Sequence, residues 1–141
     1  MADAEEVPKW KTLPLFDDQS EAAESYGAEM MAEFVADSRG EFEQAVQQLR
    51  DKAALTQDSE DWKVWHPWKI AHSVKGLAAS LGIARLAAYA KSVEDLKLTI
   101  DPATAAGAAE LFESLYEATR LEYAEYALTH VDDPEDDGDV R

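Results

Sequence analysis

The sequence contains no cysteine among its 141 residues, which excludes disulfide bonds, cysteine-based metal sites and thiol chemistry. It also lacks an apolar run long enough to span a bilayer and the apolar core of a signal peptide. Basic residues are scarce: 13 lysines and arginines stand against 30 aspartates and glutamates, for a formal net charge of −17. Such a surface repels nucleic acid and anionic membranes, so we expect neither as a partner. These absences favour a cytoplasmic protein, with the nucleus as a second compartment if the source is eukaryotic.

Three regions are predicted along the chain. Residues 1–9 are polar and predicted to be flexible, and residues 10–130 carry helical patterns and are long enough for one domain with one core. Residues 131–141 contain six acidic side chains together with a proline and a glycine, so we expect a disordered acidic tail.

Five helical segments are expected within the domain. A short helix or turn interrupted by Pro14 precedes one long helix, whose Gly27 and Gly40 weaken the pattern without ending it. Gly82 is a natural stop for the next helix, and Asp101 followed by proline is a start signal for the last. The predicted segments are residues 10–16, 20–54, 67–81, 84–98 and 102–128.

No strand pattern of convincing length occurs, and the connections between the last helices are short, which favours antiparallel neighbours. The sequence therefore predicts an all-α fold: an up-and-down antiparallel helical bundle with a four-helix core and a short extra N-terminal helix.

The most informative pattern lies in the helix of residues 67–81. At about 100° per residue its apolar side chains share one narrow face, and His72 lies roughly opposite them, on the outside. Gly76 follows one turn later, although a glycine inside a helix costs about 1 kcal/mol relative to alanine. It leaves room for an approaching group beside His72, and Lys75 adds a positive charge there. An open nucleophile, a cleared approach and a cation suit a phosphoryl group arriving on His72.

This pattern resembles the histidine phosphotransfer (HPt) family, whose hallmark is an exposed helical histidine with lysine three, glycine four and glycine ten residues later. The corresponding residues here are His72, Lys75, Gly76 and Gly82. Within the family, the chain is most similar to the fungal, yeast-type phosphorelay intermediates. The similarity covers most of the chain up to about Lys97, with a break at a longer loop over residues 52–66.

The resemblance implies a monomeric carrier that takes a phosphoryl group from a receiver-domain aspartate and passes it to another, between a hybrid histidine kinase and a response regulator. His72 would be phosphorylated through Nε2, Lys75 would neutralise phosphoryl oxygens, and Gly76 would permit close approach of the receiver. The chain itself would need no cofactor, since the receiver is expected to supply Mg²⁺. The sequence has no glycine-rich nucleotide loop and no P-loop, so it predicts a carrier and not a kinase.

A second pattern lies in the long helix of residues 20–54, where Tyr26 and Met30 fall outside the predicted core seam. That seam consists of Met31, Val35, Phe42, Val46 and Leu49. The displaced strip is either a docking surface or a surface covered by the segment around Trp10 and Phe16. The resemblance favours docking, and the partner-binding residues it implies are Phe16, Tyr26, Met30, Asp37, Ser73 and Ala79.

The remaining histidines and the tryptophans are expected to be structural. His66 and His130 lie near a helix start and a helix end, and no carboxylate completes a zinc-type cluster with His66 and His72. We therefore expect no metal site. The tryptophans that recur every three residues are predicted to pin the loop to the bundle, with the framing of a partner surface as the alternative; they are Trp62, Trp65 and Trp68.

Three points stay open from the sequence. Glu94 falls in the helix after the motif and either orients His72 or faces solvent. The chain could also be an adaptor that binds a receiver or a kinase without carrying phosphate. A third reading is an acidic helical scaffold that uses its tail to hold a basic partner.

Overall fold

The structure is a computed structural model that describes residues 7–129. Six α-helices and no strand occur in this range, with 3₁₀ turns at Lys9–Thr12 and Lys97–Thr99. The predicted acidic tail, His130 and residues 1–6 lie outside the described residues. None of the described helices is both long enough and apolar enough to cross a membrane. The helices are α1 (Glu21–Asp37), α2 (Arg39–Ala53), α3 (Glu60–Lys63), α4 (Pro67–Ser80), α5 (Ala84–Glu94) and α6 (Pro102–Thr129).

The core is a four-helix arrangement in which each helix packs on two others. α2 packs against α6 and α4, while α5 packs against α4 and α6, so the pair α4/α5 lies across the bundle from the pair α2/α6. α1 packs on α6 as a fifth helix, outside the four-helix core. The predicted all-α helical bundle with a four-helix core is therefore confirmed. The short helix or turn predicted over residues 10–16 is present as the 3₁₀ turn Lys9–Thr12, whereas α1 is part of the segment predicted as one long helix.

The single helix predicted over residues 20–54 is wrong, because the chain leaves the helical path at Gly27 and at Ser38. Gly27 has a φ of +85°, a left-handed backbone that glycine adopts without a Cβ penalty. Ser38 ends α1, and its buried hydroxyl donates to the carbonyl of Val35 at 2.7 Å. The Tyr116 hydroxyl donates to the same carbonyl at 2.6 Å, so α6 fixes where α1 stops. Gly40, as predicted, does not end a helix.

The predicted core seam is confirmed. Its members come from both α1 and α2 and are all buried, with Met31 1% exposed: they are Met31, Val35, Phe42, Val46 and Leu49. The apolar face of α4 is buried with them, through Ile70 and Val74. Burial of this face fixes the rotation of α4 and turns the opposite face to solvent.

Gly82 ends the helix that carries His72, as predicted, and its backbone has a φ of +73°. A Cβ here would lie 3.0 Å from the Ser20 hydroxyl oxygen and 3.3 Å from that of Tyr123. The Asp17 amide also donates to the Gly82 carbonyl at 2.7 Å. The absence of a Cβ at Gly82 therefore allows the end of α4 to pack against the start of α1. Gly82 does not shape the surface around His72.

The predicted start of α6 is confirmed, whereas the predicted end of α5 is wrong. α5 ends at Glu94 and not near residue 98, because Lys97 turns into the left-handed region with a φ of +50°. α6 begins at Pro102 as predicted, and the Asp101 carboxylate accepts from the Thr104 amide at 2.8 Å as its cap.

His66 is buried and caps α4, since its Nδ1 accepts from the Trp68 amide at 3.2 Å. Burial, followed by the charges of Lys52 and Lys69, lowers the pKa of His66 and favours the neutral ring that can accept this bond. Trp62 is buried against His66, so its predicted role of pinning the loop is confirmed.

Trp65 does not share that role. Its side chain is 47% exposed and its backbone has a φ of +55°, whereas Trp68 is partly buried against the core. The prediction that all three tryptophans pin the loop is therefore wrong for Trp65. The loop is held instead by Trp62 and by the Lys52 ammonium, which donates to the carbonyls of Asp61 and Val64.

Candidate functional site

His72 stands on the solvent side of α4, with 60% of its side chain exposed. Burial of Ile70, Ala71 and Val74 on the other side of the helix dictates this direction. The imidazole is therefore accessible to another protein, yet it is attached to a helix that the core holds rigidly.

Glu94 lies beneath His72 and organises the site. It is the last residue of α5, and only 8% of its side chain is exposed. Its Oε2 lies 2.8 Å from His72 Nδ1, and its Oε1 lies 2.8 Å from Lys75 Nζ. Lys97 Nζ approaches the same carboxylate, 3.7 Å from Oε2. One buried carboxylate therefore joins the histidine to two lysines.

The pKa of Glu94 is lowered to about 2, chiefly by the hydrogen bond from Lys75 and also by that from His72, against the opposing effect of burial. Glu94 is thus ionised at neutral pH and can only accept hydrogen bonds. A neutral imidazole has one N–H and one lone pair, so the bond to Glu94 requires the proton on Nδ1. Nε2, on the other side of the ring, keeps its lone pair.

Gly76 lies one turn beyond His72 on the exposed face of α4. A Cβ added at this position would meet no other atom within 4 Å. Nothing inside the protein therefore demands glycine here, even though glycine weakens the helix. Ser73 and Ala79 are exposed on the same helix, and their short side chains project little from its surface.

The strip formed by Tyr26 and Met30 is open. Tyr26 is 56% and Met30 42% exposed, and the two line a surface depression together with glutamates. The explanation that the N-terminal segment covers them is wrong for the described residues. Trp10 packs on Tyr89 of α5, with ring centroids 4.8 Å apart, and Phe16 packs on α6 instead.

The other predicted partner-binding residues are distributed over the surface. Phe16 is partly buried, and its ring stacks on Tyr123 at 4.0 Å. Asp37 is exposed at the end of α1, and Ser73 lines a groove between α4 and α2. Their contribution to docking stays a prediction. Among residues 7–129, no group of three or more histidines, aspartates and glutamates is placed to hold a metal ion.

Two residues of the site were not assigned from the sequence. Glu94 lies 22 positions after His72, so only the packing of α5 on α4 brings the two together. Lys97 lies three residues beyond the end of α5, at the start of the 3₁₀ turn Lys97–Thr99, and its ammonium approaches the carboxylate. The one signal for Glu94 was its position in the helix that follows the motif.

Comparison with known protein families adds one finding. A family model described as "Hpt domain" matches residues 29–126, which include His72, Lys75, Gly76 and Glu94. Comparison with curated proteins and with solved structures gives no match.

Proposed function

The chain belongs to the Hpt domain family, and from that membership we propose that it carries a phosphoryl group on His72 between the receiver domains of a hybrid histidine kinase and a response regulator. Hpt domains act generally in histidine phosphotransfer within phosphorelays, as phosphocarriers that interact with receiver domains. The fungal, yeast-type subgroup is the one to which we assign it, on the resemblance described above.

The observation that carries the proposal is the hydrogen bond between His72 Nδ1 and the buried Glu94 carboxylate, at 2.8 Å. This bond selects the tautomer with a lone pair on Nε2, which is the nitrogen that an incoming receiver can reach. Because Glu94 is ionised, it also stabilises the positive charge that the imidazole gains when Nε2 forms a bond to phosphorus.

The proposed transfer balances without an external base. The Nε2 lone pair attacks the phosphorus of an aspartyl phosphate in line, the P–O bond to the aspartate breaks, and the carboxylate leaves. The Nδ1 proton stays between the ring and Glu94 throughout. In the second transfer a receiver carboxylate attacks the same phosphorus, and the P–N bond breaks. The Mg²⁺ expected on the receiver would help to neutralise the phosphoryl oxygens.

Lys75 has two parts in this scheme. In the unphosphorylated protein its ammonium is paired with Glu94, which keeps that carboxylate ionised. About a third of its side chain is exposed, and the shared Glu94 carboxylate holds its ammonium on the same side of the helix as the imidazole. We propose that it neutralises the phosphoryl oxygens after transfer, within a chain whose net charge is −17.

The test of this proposal is a comparison of Glu94→Gln with Glu94→Ala in phosphotransfer from a phosphorylated receiver domain. Glutamine can still accept from Nδ1, whereas alanine cannot. We expect Ala to slow transfer by about tenfold to a hundredfold, as removal of the partner that orients a metal-bound histidine does, and Gln to slow it less. ¹⁵N NMR of the imidazole should report loss of the Nδ1–H tautomer in Glu94→Ala only.

A purely structural role for Glu94 would give a different result. Both variants would then lower the melting temperature, while the tautomer and the transfer rate per folded molecule stayed unchanged. Absence of acid-labile, base-stable label on the wild-type protein with every receiver tested would favour the adaptor function over phosphotransfer.

Gly76→Gln should move stability and activity in opposite directions. Glutamine raises helix propensity by several tenths of a kcal/mol relative to glycine, and the space at Gly76 is open. Its side chain would, however, lie beside His72 in the path of the receiver. We expect a higher melting temperature and slower phosphotransfer, measured by thermal unfolding and by transfer of label.

The matched control is Gly107→Gln on α6. Gly107 is also a helical, exposed glycine whose Cβ would meet no other atom within 4 Å. It should gain similar stability without loss of transfer. A Gly76→Gln protein as active as Gly107→Gln would refute the idea that Gly76 clears the approach.

A further inference from the structure

A row of alternating tryptophan and lysine side chains extends from the His72 site toward the start of α4. Lys69 Nζ lies 5.9 Å from the ring centroids of both Trp65 and Trp68, and Lys97 Nζ lies 4.3 Å from that of Trp68. Lys97 joins the row to the site, since it also approaches Glu94. We call these four residues the Trp–Lys row: Trp65, Trp68, Lys69 and Lys97.

The backbone holds the two ends of the row in an unfavourable conformation. Trp65 and Lys97 are the two non-glycine residues of the described chain with positive φ, at +55° and +50°. Left-handed backbone is uncommon for bulky side chains, and such outliers cluster at functional sites. Here they project an exposed indole and an ammonium, with further exposed apolar side chains close in sequence at Val64, Leu96 and Leu98.

The row places two lysines side by side on a strongly acidic protein. Among residues 7–129 the Lys69 ammonium has no carboxylate partner within 4 Å, and it lies over the two indole rings. Lys75 and Lys97 share a single carboxylate, that of Glu94, while Lys69 adds a third ammonium one helical turn before His72. An acidic partner is repelled by the net charge of −17 and is attracted locally at this row.

We propose that the Trp–Lys row is a docking surface for an acidic segment of the receiver domain, distinct from the Tyr26/Met30 strip. Carboxylates of that segment contact Lys69 and Lys97, and one of its apolar side chains packs on Trp65. The row sets affinity and orientation and takes no part in the bond changes at Nε2. This inference rests on the function proposed above.

α6 leads the chain away from the row. α6 begins five residues after Lys97, and its 28 residues carry the chain about 40 Å along the bundle. Tyr123, near the end of α6, donates to the Leu81 carbonyl at the end of α4 opposite Trp65. The described chain therefore ends far from the row, which favours an occupant supplied by another molecule.

The experiment measures phosphotransfer to the full chain against receiver concentration, at low and at high salt, with a receiver domain of the source genome. We expect Lys69→Glu to raise the half-saturating receiver concentration by about tenfold at low salt and much less at high salt. The maximal rate should not change. Trp65→Ala should raise the half-saturating concentration at both salt concentrations, because its contact is apolar.

Lys11→Glu is the matched control, because it makes the same change in charge. Lys11 also lies over a tryptophan ring, that of Trp10 at 5.5 Å, but on the segment that packs against α5. An equal effect of Lys11→Glu and Lys69→Glu would overturn the proposal in favour of net charge alone. A fall in maximal rate with unchanged half-saturation would overturn it as well.

A binding measurement separates this inference from the function on which it rests. The dissociation constant of the unphosphorylated receiver is measured with His72→Gln protein, with and without Lys69→Glu, so that no transfer is needed. A tenfold weakening by Lys69→Glu supports the docking surface even if His72 never becomes labelled. Unchanged affinity overturns it even if phosphotransfer through His72 is demonstrated.

Discussion

His72→Gln is expected to abolish phosphoryl acceptance while the helical bundle stays folded. The reacting nitrogen is lost, and 60% of the side chain lies outside the protein, so little packing is lost with it. Loss of the bond to the buried Glu94 should cost on the order of 1 kcal/mol, which a domain of ordinary stability tolerates. The measurements are acid-labile, base-stable label after incubation with a phosphorylated receiver, and thermal unfolding by circular dichroism.

His66 provides the internal comparison for this variant. It is buried and caps α4, so it should accept no label in the wild-type protein or in His72→Gln. Residual label at His66 or at His130 in His72→Gln would remove His72 as the phosphorylated residue. If His72→Gln unfolds, loss of label does not identify the phosphorylated residue. The second variant to measure is then His72→Asn, whose shorter side chain keeps an amide donor closer to the helix.

Met31→Asp should unfold the protein, whereas Met30→Asp should leave it folded and weaken receiver binding. The two methionines are neighbours on α1, but Met31 is 1% exposed and Met30 is 42% exposed. An unpaired carboxylate at Met31 would lie in the core, at a cost on the order of 4 kcal/mol or more. At Met30 it would reach water in the free protein and would be buried only beneath a docked partner.

The readouts are the melting temperature and the receiver dissociation constant of both variants. A docking residue at Met30 should cost the complex on the order of 2 kcal/mol, about thirtyfold in the dissociation constant. Equal destabilisation of the fold by the two substitutions would mean that Met30 belongs to the core. Wild-type affinity of Met30→Asp would leave the His72 surface and the Trp–Lys row as the places where the receiver contacts the protein.

Local patterns in the sequence were sufficient to predict the helices and the faces that they bury. The spacing of Ile70 and Val74 placed His72 on the outside of α4. The helical period along α1 and α2 identified the five buried side chains of the seam. Helix ends that depend on one local residue were also predicted, as at Gly82 and Asp101. Each of these features depends on residues within a few positions of one another.

Features that depend on how one helix meets another were not predicted. The helix over residues 20–54 is divided at Ser38, where α6 supplies Tyr116 to the carbonyl of Val35. The exposure of Trp65 follows from a left-handed backbone that its sequence does not favour. Whether the N-terminal segment covers Tyr26 was open in the sequence, and the packing of that segment on α5 and α6 decided it.

The sequence by itself determined the arrangement around His72: its outward face, the lysine three residues later and the glycine one turn beyond it. All of these lie within one and a half turns of a single helix, so the helical period alone relates them. Only the tertiary structure decided which nitrogen of His72 is free. That depends on Glu94, 22 residues away, whose buried carboxylate meets Nδ1 because α5 packs against α4.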